Sequence, residues 1–179
     1  MATDFSILPD PPDALTPGTA LARLVDGIGF RLHWALEGLR PEDHDFAPTP
    51  EAMTIRQIVS HILSMMQWID GALGGAAGQE PPQDFEALRS MTLTRLQALR
   101  DRLAGMSTED LEAFRIVRPQ GEYPTWNVIS GPLADALTHV GQINTCRRIN
   151  GNPTPRVNYF SGERPAGGEE ISRRERGVR

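Results

Sequence analysis

The sequence predicts an all-α protein, a mostly antiparallel bundle of four helices. Three observations support this fold class. The 179 residues suffice for one domain with a full-sized core. Four stretches carry apolar residues at spacings of three and four, as expected of helices with one buried face. The segments between them are rich in Pro and Gly, which end helices, and the chain shows no internal repeat and no second domain.

The predicted bundle occupies residues 17–151 and lies between two irregular ends. Residues 1–16 contain three prolines in four positions and show no periodicity, which indicates an extended arm. Residues 152–179 form an irregular tail, and its last dozen residues, rich in Gly, Glu and Arg, are expected to be disordered. Tyr159 and Phe160 are the apolar part of this tail, and we expect them to pack near the open end of the site described below.

The first helix is predicted from Pro17 to about Leu39, on the spacing of its leucines. Gly27 and Gly29 lie inside it, each less favourable than Ala by about 1 kcal/mol. We expect them to let a neighbouring segment approach closely. In the proline-containing connection that follows, His44 is expected to be solvated.

The second helix begins after a capping box formed by Thr54 and Gln57 and extends to about Leu73. A Gly-rich loop leads to a third helix over residues 84–103, and a short capped helix follows. Residues 115–125 are predicted to be irregular, with room for a short extended piece. The fourth helix either runs from Trp126 to Asn150 with a kink at the proline within it, or begins at that proline.

The fourth helix carries a polar stripe beside its apolar one. Asp135, His139, Gln142 and Cys146 follow one another at spacings of four, three and four and therefore share a face. A carboxylate and an imidazole one turn apart can hold a single divalent metal, although an exposed Asp–His pair on an ordinary helix fits the same spacing. Cys146 lies about 10 Å along the axis from His139 and is interpreted as a small buried hydrophobe.

Arg147 and Arg148 come at the end of the fourth helix. We interpret them as favourable charges near a helix C-terminus.

The second helix contributes one histidine, His61, at the edge of its apolar face. It is the only ionisable residue between Arg56 and Asp70, so we expect it to point into a dry environment, as a metal ligand or as a hydrogen-bonded core residue. In a bundle, the second and fourth helices can face each other across the core. His61, Asp135 and His139 would then give three protein ligands with coordination positions left open, which is typical of a catalytic site.

Two segments resemble the DinB/YfiT-like helical bundles: LRPEDHDFAPTPEAMTIRQIVSHIL at the second helix and DALTHVGQI at the fourth. The resemblance implies a bundle of that type in which His61 and His139 are metal ligands and Gln142 follows as an outer-sphere residue. Asp135 departs from the pattern, because many members have His there. Met65 and Trp68, one and two turns beyond His61, are predicted to line the pocket.

The resemblance also implies a function. We expect a divalent-metal-dependent enzyme acting on a small-molecule substrate, either a transferase or isomerase that uses a low-molecular-weight thiol, or a hydrolase that uses metal-activated water. The metal is not distinguished among Zn, Ni, Mn and Fe, and a homodimer is expected. The alternative is a non-catalytic dimeric module, associated with stress or with small-molecule binding.

Composition excludes several other classes. All 18 basic residues are Arg, so a Schiff-base lysine, a P-loop lysine and a Ser–Lys dyad are absent. A net charge of −5 argues against nucleic-acid binding, and one cysteine excludes an internal disulfide and a Cys-rich zinc site. With no signal-like N-terminus and no long apolar run, we expect a cytoplasmic protein without a membrane partner.

Overall fold

The computed structural model describes residues 5–163. The expected disorder of the last dozen residues, 168–179, lies outside this part of the chain. The elements in order are α1 (Pro17–Leu36), α2 (Pro41–His44), α3 (Ile55–Ala72), α4 (Phe85–Ala104), α5 (Thr108–Ala113), β1 (Arg115–Arg118), β2 (Gly121–Pro124), α6 (Thr125–Val128), a π-helical turn (Ile129–Leu133) and α7 (Ala134–Ile149).

The four long helices α1, α3, α4 and α7 form the predicted all-α bundle. Helix α1 packs against α4 and α7, and α3 packs against the same two helices from the other side. The pairs α1–α4 and α3–α7 are antiparallel, whereas α3–α4 and α1–α7 are parallel, so only half of the neighbouring pairs are antiparallel. The reason lies in residues 73–84, which at about 3.3 Å per residue can return along the whole length of α3 before α4 begins.

The long helices begin where the sequence supplies caps. Thr16 accepts from the backbone N–H of Thr19 at the start of α1, and Thr54 and Gln57 form the predicted capping box of α3. The core is one cluster of apolar side chains drawn from all four long helices. Burial of these faces, rather than helix propensity, accounts for most of the stability of such helices.

The N-terminal arm packs against the bundle. Phe5 is 2% exposed, and its ring lies where a side chain on Gly29 would otherwise stand, at 2.3 Å from the position of a Cβ atom. The backbone carbonyl of Ser6 accepts a hydrogen bond from the Trp34 indole at 3.1 Å. The expected close approach at Gly29 is therefore confirmed, and the approaching segment is the arm itself.

The segment before α7 contains more structure than the sequence suggested. Strands β1 and β2 form an antiparallel hairpin, in which Ile116 pairs with Tyr123. The chain then continues through α6 and the π-helical turn into α7. Pro132 lies in this turn and lacks the N–H that a regular helix needs, and Gly131 departs from helical geometry (φ −94°, ψ −108°). The expected kink is confirmed.

Arg147 corrects an expectation. The sequence suggested only a favourable charge near the C-terminus of the helix, but the side chain of Arg147 is buried and makes specific hydrogen bonds. Its guanidinium donates to the backbone carbonyls of Ala35 at 2.9 Å, Glu37 at 2.7 Å and Asn152 at 2.8 Å. Carbonyls at the end of a helix lack partners within the helix. Arg147 donates hydrogen bonds to such carbonyls of α1 and thereby links α1 to α7.

Asp43 extends this network. The amides of Asn150 and Asn152 each donate to its carboxylate at 2.7 Å, and Arg40 donates at 2.8 and 3.0 Å. The guanidinium of Arg40 holds the pKa of the Asp43 carboxyl well below its usual range. The carboxylate is therefore ionised and fully bonded although it is buried.

Two further aromatic contacts differ from expectation. His44 is not fully solvated: its ring stacks on Phe85 with centroids 3.8 Å apart.

Tyr159 packs edge-on against Phe30 of α1, at 6.2 Å, and Phe160 is 98% exposed. The tail thus lies on α1, a helix that contributes no ligand to the predicted site, because the ring of Phe30 offers Tyr159 an edge-to-face partner there.

Among residues 5–163, no helix combines the length and the apolar character that a membrane span requires.

Replacing Arg147 with Met should destabilise the protein by about 3 kcal/mol, because three buried carbonyls lose their donor. Arg148→Met is the matched control, since Arg148 is exposed on the same turn, and it should change stability by less than about 0.5 kcal/mol. Urea unfolding at neutral pH measures both. Equal stability of the two variants would contradict the role given to Arg147.

Candidate metal centre

The antiparallel seam between α3 and α7 brings the three predicted ligands together. His61 comes from α3, and Asp135 and His139 come from successive turns of α7. The Nε2 atom of His61 and the Nε2 atom of His139 each lie 3.5 Å from the same Asp135 oxygen, Oδ2. One ligand atom from each residue lies within 4.8 Å of the other two.

These separations fit a shared cation. At 3.5 Å, the two His–Asp contacts exceed the usual length of a good hydrogen bond. With metal–ligand distances of about 2.1 Å, two ligand atoms of a tetrahedral site stand about 3.4 Å apart. The imidazole rings are nearly perpendicular, at 81°, and both direct a nitrogen at Oδ2 of Asp135. The three residues therefore fit a divalent metal, with room for further ligands.

Gln142 orients one of the ligands. Its side-chain oxygen lies 2.8 Å from Nδ1 of His139, one turn further along α7. An amide oxygen only accepts, so Nδ1 carries the proton and Nε2 presents its lone pair to the site. This arrangement, in which the second nitrogen of a ligand histidine donates to a fixed acceptor, is typical of metal sites in proteins.

The site opens to solvent on one side. The side chains of His61 and Asp135 are 43% and 47% exposed, whereas that of His139 is 11% exposed. The expectation that His61 points into a dry environment is therefore wrong, because its position at the edge of α3 faces outward beside the seam. His139 anchors the site in the bundle, and the other two ligands remain accessible from outside.

An apolar cleft adjoins the buried ligand. It has a volume of about 560 Å³ and includes His139 and Gln142 in its wall. The other lining residues come from the connection before α3, from α3 and from α7: Pro48, Ala52, Met53, Ile58, Thr138, Gly141, Thr145 and Cys146. Cys146 is 3% exposed, and burial raises the pKa of its thiol, as expected of a small buried hydrophobe.

Met65 and Trp68 do not line this cleft. Met65 is half-buried, and Trp68 belongs to a separate cavity beside the hairpin, where the guanidinium of Arg118 lies 4.1 Å from the centre of the Trp68 ring. Nothing in the sequence pattern singles out Arg118. Strands of four residues show too little alternation to predict which side chains point toward the bundle.

The protein is thus a helical bundle with a candidate His–Asp–His metal centre between two of its helices. The chain belongs to the DinB superfamily, whose family model matches residues 30–142, a range that includes His61, Asp135, His139 and Gln142. Comparison with curated proteins and with solved structures finds no significant match.

Wild-type protein stripped with a chelator and reloaded with Zn²⁺, Ni²⁺, Mn²⁺ or Fe²⁺ should retain about one ion per chain for at least one of these metals. His61→Ala should weaken that binding by more than the roughly 10–100-fold that follows loss of an outer-sphere partner, because it removes a ligand. Elemental analysis after gel filtration measures retention. His33→Ala is the control, because His33 lies on α1 outside the triad, and it should bind as wild type.

Substitutions of Asp135 test the same site from α7. Asp135→Asn should weaken binding, since a neutral amide lacks the charge, whereas Asp135→His should keep a site with a preference for softer metals. Equal retention by wild type, Asp135→Asn and His61→Ala would show that these residues bind no metal.

Proposed function

We propose that this protein is a divalent-metal-dependent enzyme that activates a low-molecular-weight thiol or a water molecule for attack on a small-molecule substrate. The observation that carries the proposal is the convergence of three ligand atoms at an accessible edge of the bundle, directly beside an apolar cleft. Three protein ligands leave coordination positions for a reactant, which distinguishes catalytic from structural sites.

A divalent ion held by the three ligands would supply Lewis acidity, which lowers the pKa of a coordinated thiol or water. Asp135 contributes one negative charge, so two neutral imidazoles and one carboxylate leave a net charge of about +1 on the site. Gln142 keeps the Nε2 lone pair of His139 directed at the site. The half-exposed His61 and Asp135 leave an approach for the reactants from solvent.

The cleft offers no nucleophile of its own. The raised pKa of Cys146 keeps its thiol protonated. The hydroxyls of Thr138 and Thr145 donate to the backbone carbonyls of Ala134 and Gly141 in their own helix. The proposal therefore takes the nucleophile from a bound thiol or water rather than from the described residues of this cleft. The resemblance to thiol-dependent members of the superfamily places a thiol ahead of water.

The apolar lining favours a substrate with an apolar portion. Met53 and Ile58 stand across the cleft from α7. Met53 is exposed, and its burial against a bound substrate would contribute about 25 cal/mol for each Å² of apolar surface removed from water. The cleft would thus hold the substrate beside His139 while the reacting group lies at the solvent-open edge.

Metal-loaded protein should accelerate the alkylation of N-acetylcysteine by monobromobimane at pH 7, because coordination lowers the thiol pKa from about 8.5. Stopped-flow fluorescence from pH 6 to pH 9 measures the alkylation rate. This rate should depend less steeply on pH with the metal-loaded protein than with the free thiol. Hydrolysis of 4-nitrophenyl acetate tests water in place of the thiol. The control is His61→Ala incubated with the same metal. If wild type and His61→Ala give equal rates in both assays, the proposed activity is wrong.

We also propose that the protein is a homodimer, which the family resemblance supports. We propose a cytoplasmic location, which the sequence supports. Light scattering at micromolar concentration should give twice the chain mass of 19.7 kDa. A single species at the chain mass would contradict the dimer without affecting the metal centre.

A further inference from the structure

A second cavity lies between α3 and the hairpin. Its volume is about 280 Å³, which suits a small polar group better than a whole substrate. The residues that line it are Trp68, Ile116, Arg118, Gln120, Tyr123 and Asn127. This lining contains one formal positive charge, on Arg118, and no carboxylate. It also offers neutral donors from two amides and a phenol.

The register of the hairpin explains why the positive charge faces the cavity. Ile116 pairs with Tyr123 and Arg118 with Gly121, and alternate residues of a strand share a face. Ile116 is 3% exposed, so this face is turned toward the bundle. The only carboxylate of the hairpin belongs to Glu122, which pairs with the exposed Val117 on the opposite face.

Arg118 is available for an anion. The central carbon of its guanidinium lies 4.1 Å from the centre of the Trp68 ring, a cation–π contact, which is not a hydrogen bond to a lone-pair acceptor. Within residues 5–163, no carboxylate lies within 4.0 Å of the Arg118 side-chain nitrogens. A planar guanidinium held in place by an aromatic ring is well suited to bind a carboxylate through two parallel hydrogen bonds.

The position of this cavity relates it to the metal centre. Trp68 follows His61 by seven residues, which is two turns on the same face of α3 and about 10 Å along the helix axis. Half-buried Met65 lies between them on that face. An extended chain advances about 3.3–3.6 Å for every three bonds, so a ligand with about eight bonds between its reacting group and its carboxylate would span this distance.

We propose that the cavity around Arg118 and Trp68 is a carboxylate-binding subsite, which holds the carboxylate of the substrate or of the thiol while the reacting group lies at the metal centre. The second half of this assignment rests on the proposed function. The subsite itself does not, since Arg118 and Trp68 are independent of the three metal ligands.

Calorimetric titration of the chelator-treated full chain with succinate tests the subsite. Succinamide is the neutral comparison ligand. Wild type should bind succinate and should bind succinamide at least about tenfold more weakly, because a charge-assisted bidentate pair is lost. Arg118→Gln should lower the affinity for succinate by a similar factor. Arg118→Lys keeps the charge but not the bidentate geometry of the guanidinium, so its affinity should lie between those of wild type and Arg118→Gln.

Arg115→Gln is the matched control. It removes the same charge from the same hairpin, but Arg115 lies on the other face, where it donates to the carbonyls of Glu112 and Phe114. It should bind succinate within about twofold of wild type. Equal affinity of wild type, Arg118→Gln and Arg118→Lys for succinate would overturn the proposal. An equal loss in Arg115→Gln would also overturn it, since the effect would then be one of net charge.

The source of the carboxylate is tested with Zn²⁺-loaded protein and two thiols, N-glutarylcysteamine, which has eight bonds between its sulfur and its carboxylate carbon, and the terminal amide of the same compound. If the thiol carries the carboxylate, N-glutarylcysteamine binds more tightly than its amide, and Arg118→Gln removes the difference. If the substrate carries it, the two thiols bind equally while succinate still depends on Arg118. Succinate binding that depends on Arg118 in protein that retains no metal would support the subsite and contradict the metal-dependent function. Succinate binding that requires Zn²⁺ and ignores Arg118 would overturn the subsite.

Discussion

The position of α7 relative to α3 is the constraint on which the candidate site depends. The two helices run antiparallel, so Asp135 and His139 meet His61 only at one axial position. A shift of one turn, about 5.4 Å, would separate the imidazoles beyond the reach of any single ion. At its C-terminal end α7 is held by Arg147, whose guanidinium is bonded to carbonyls of α1 and of the following turn. At its N-terminal end, the π-helical turn ends at Leu133, two residues before Asp135. The polar network at one end and the kink at the other thus fix where the ligands lie.

The three ligands differ in burial, and this difference separates their roles. His139 is held inside the bundle by packing and by Gln142, so it provides a rigid reference for the site. His61 and Asp135 are accessible, and reactants can approach from their side. Two different chemical environments lie beside the triad. One is the apolar cleft that includes His139, and the other is the cavity that contains Arg118. This polarity suits a ligand that has an apolar part, a reacting group and a carboxylate.

Much of this architecture could be predicted from the sequence. The helices follow from apolar spacing and from caps such as Thr54, and the triad follows from the Asp135–His139 spacing together with one isolated histidine on the second helix. The burial of Arg147 could not be predicted, because two of its three backbone carbonyl partners lie about 110 residues away and carbonyls leave no mark in the sequence. The exposure of His61 depends on how closely two helices approach, which periodicity does not determine. The parallel pairing of α3 with α4 depends on the path of a loop. The hairpin strands are too short to show a pattern, so Arg118 was missed as well.

Whether His61, Asp135 and His139 hold one divalent metal can be observed by anomalous diffraction from crystals of the metal-loaded protein, with data collected on both sides of the absorption edge. We expect one anomalous peak per chain, at bonding distance from Nε2 of both histidines and from a carboxylate oxygen of Asp135, with Nδ1 of His139 still bonded to Gln142. A peak elsewhere on the chain, or none between α3 and α7 in protein that carries a full equivalent of metal, would contradict it.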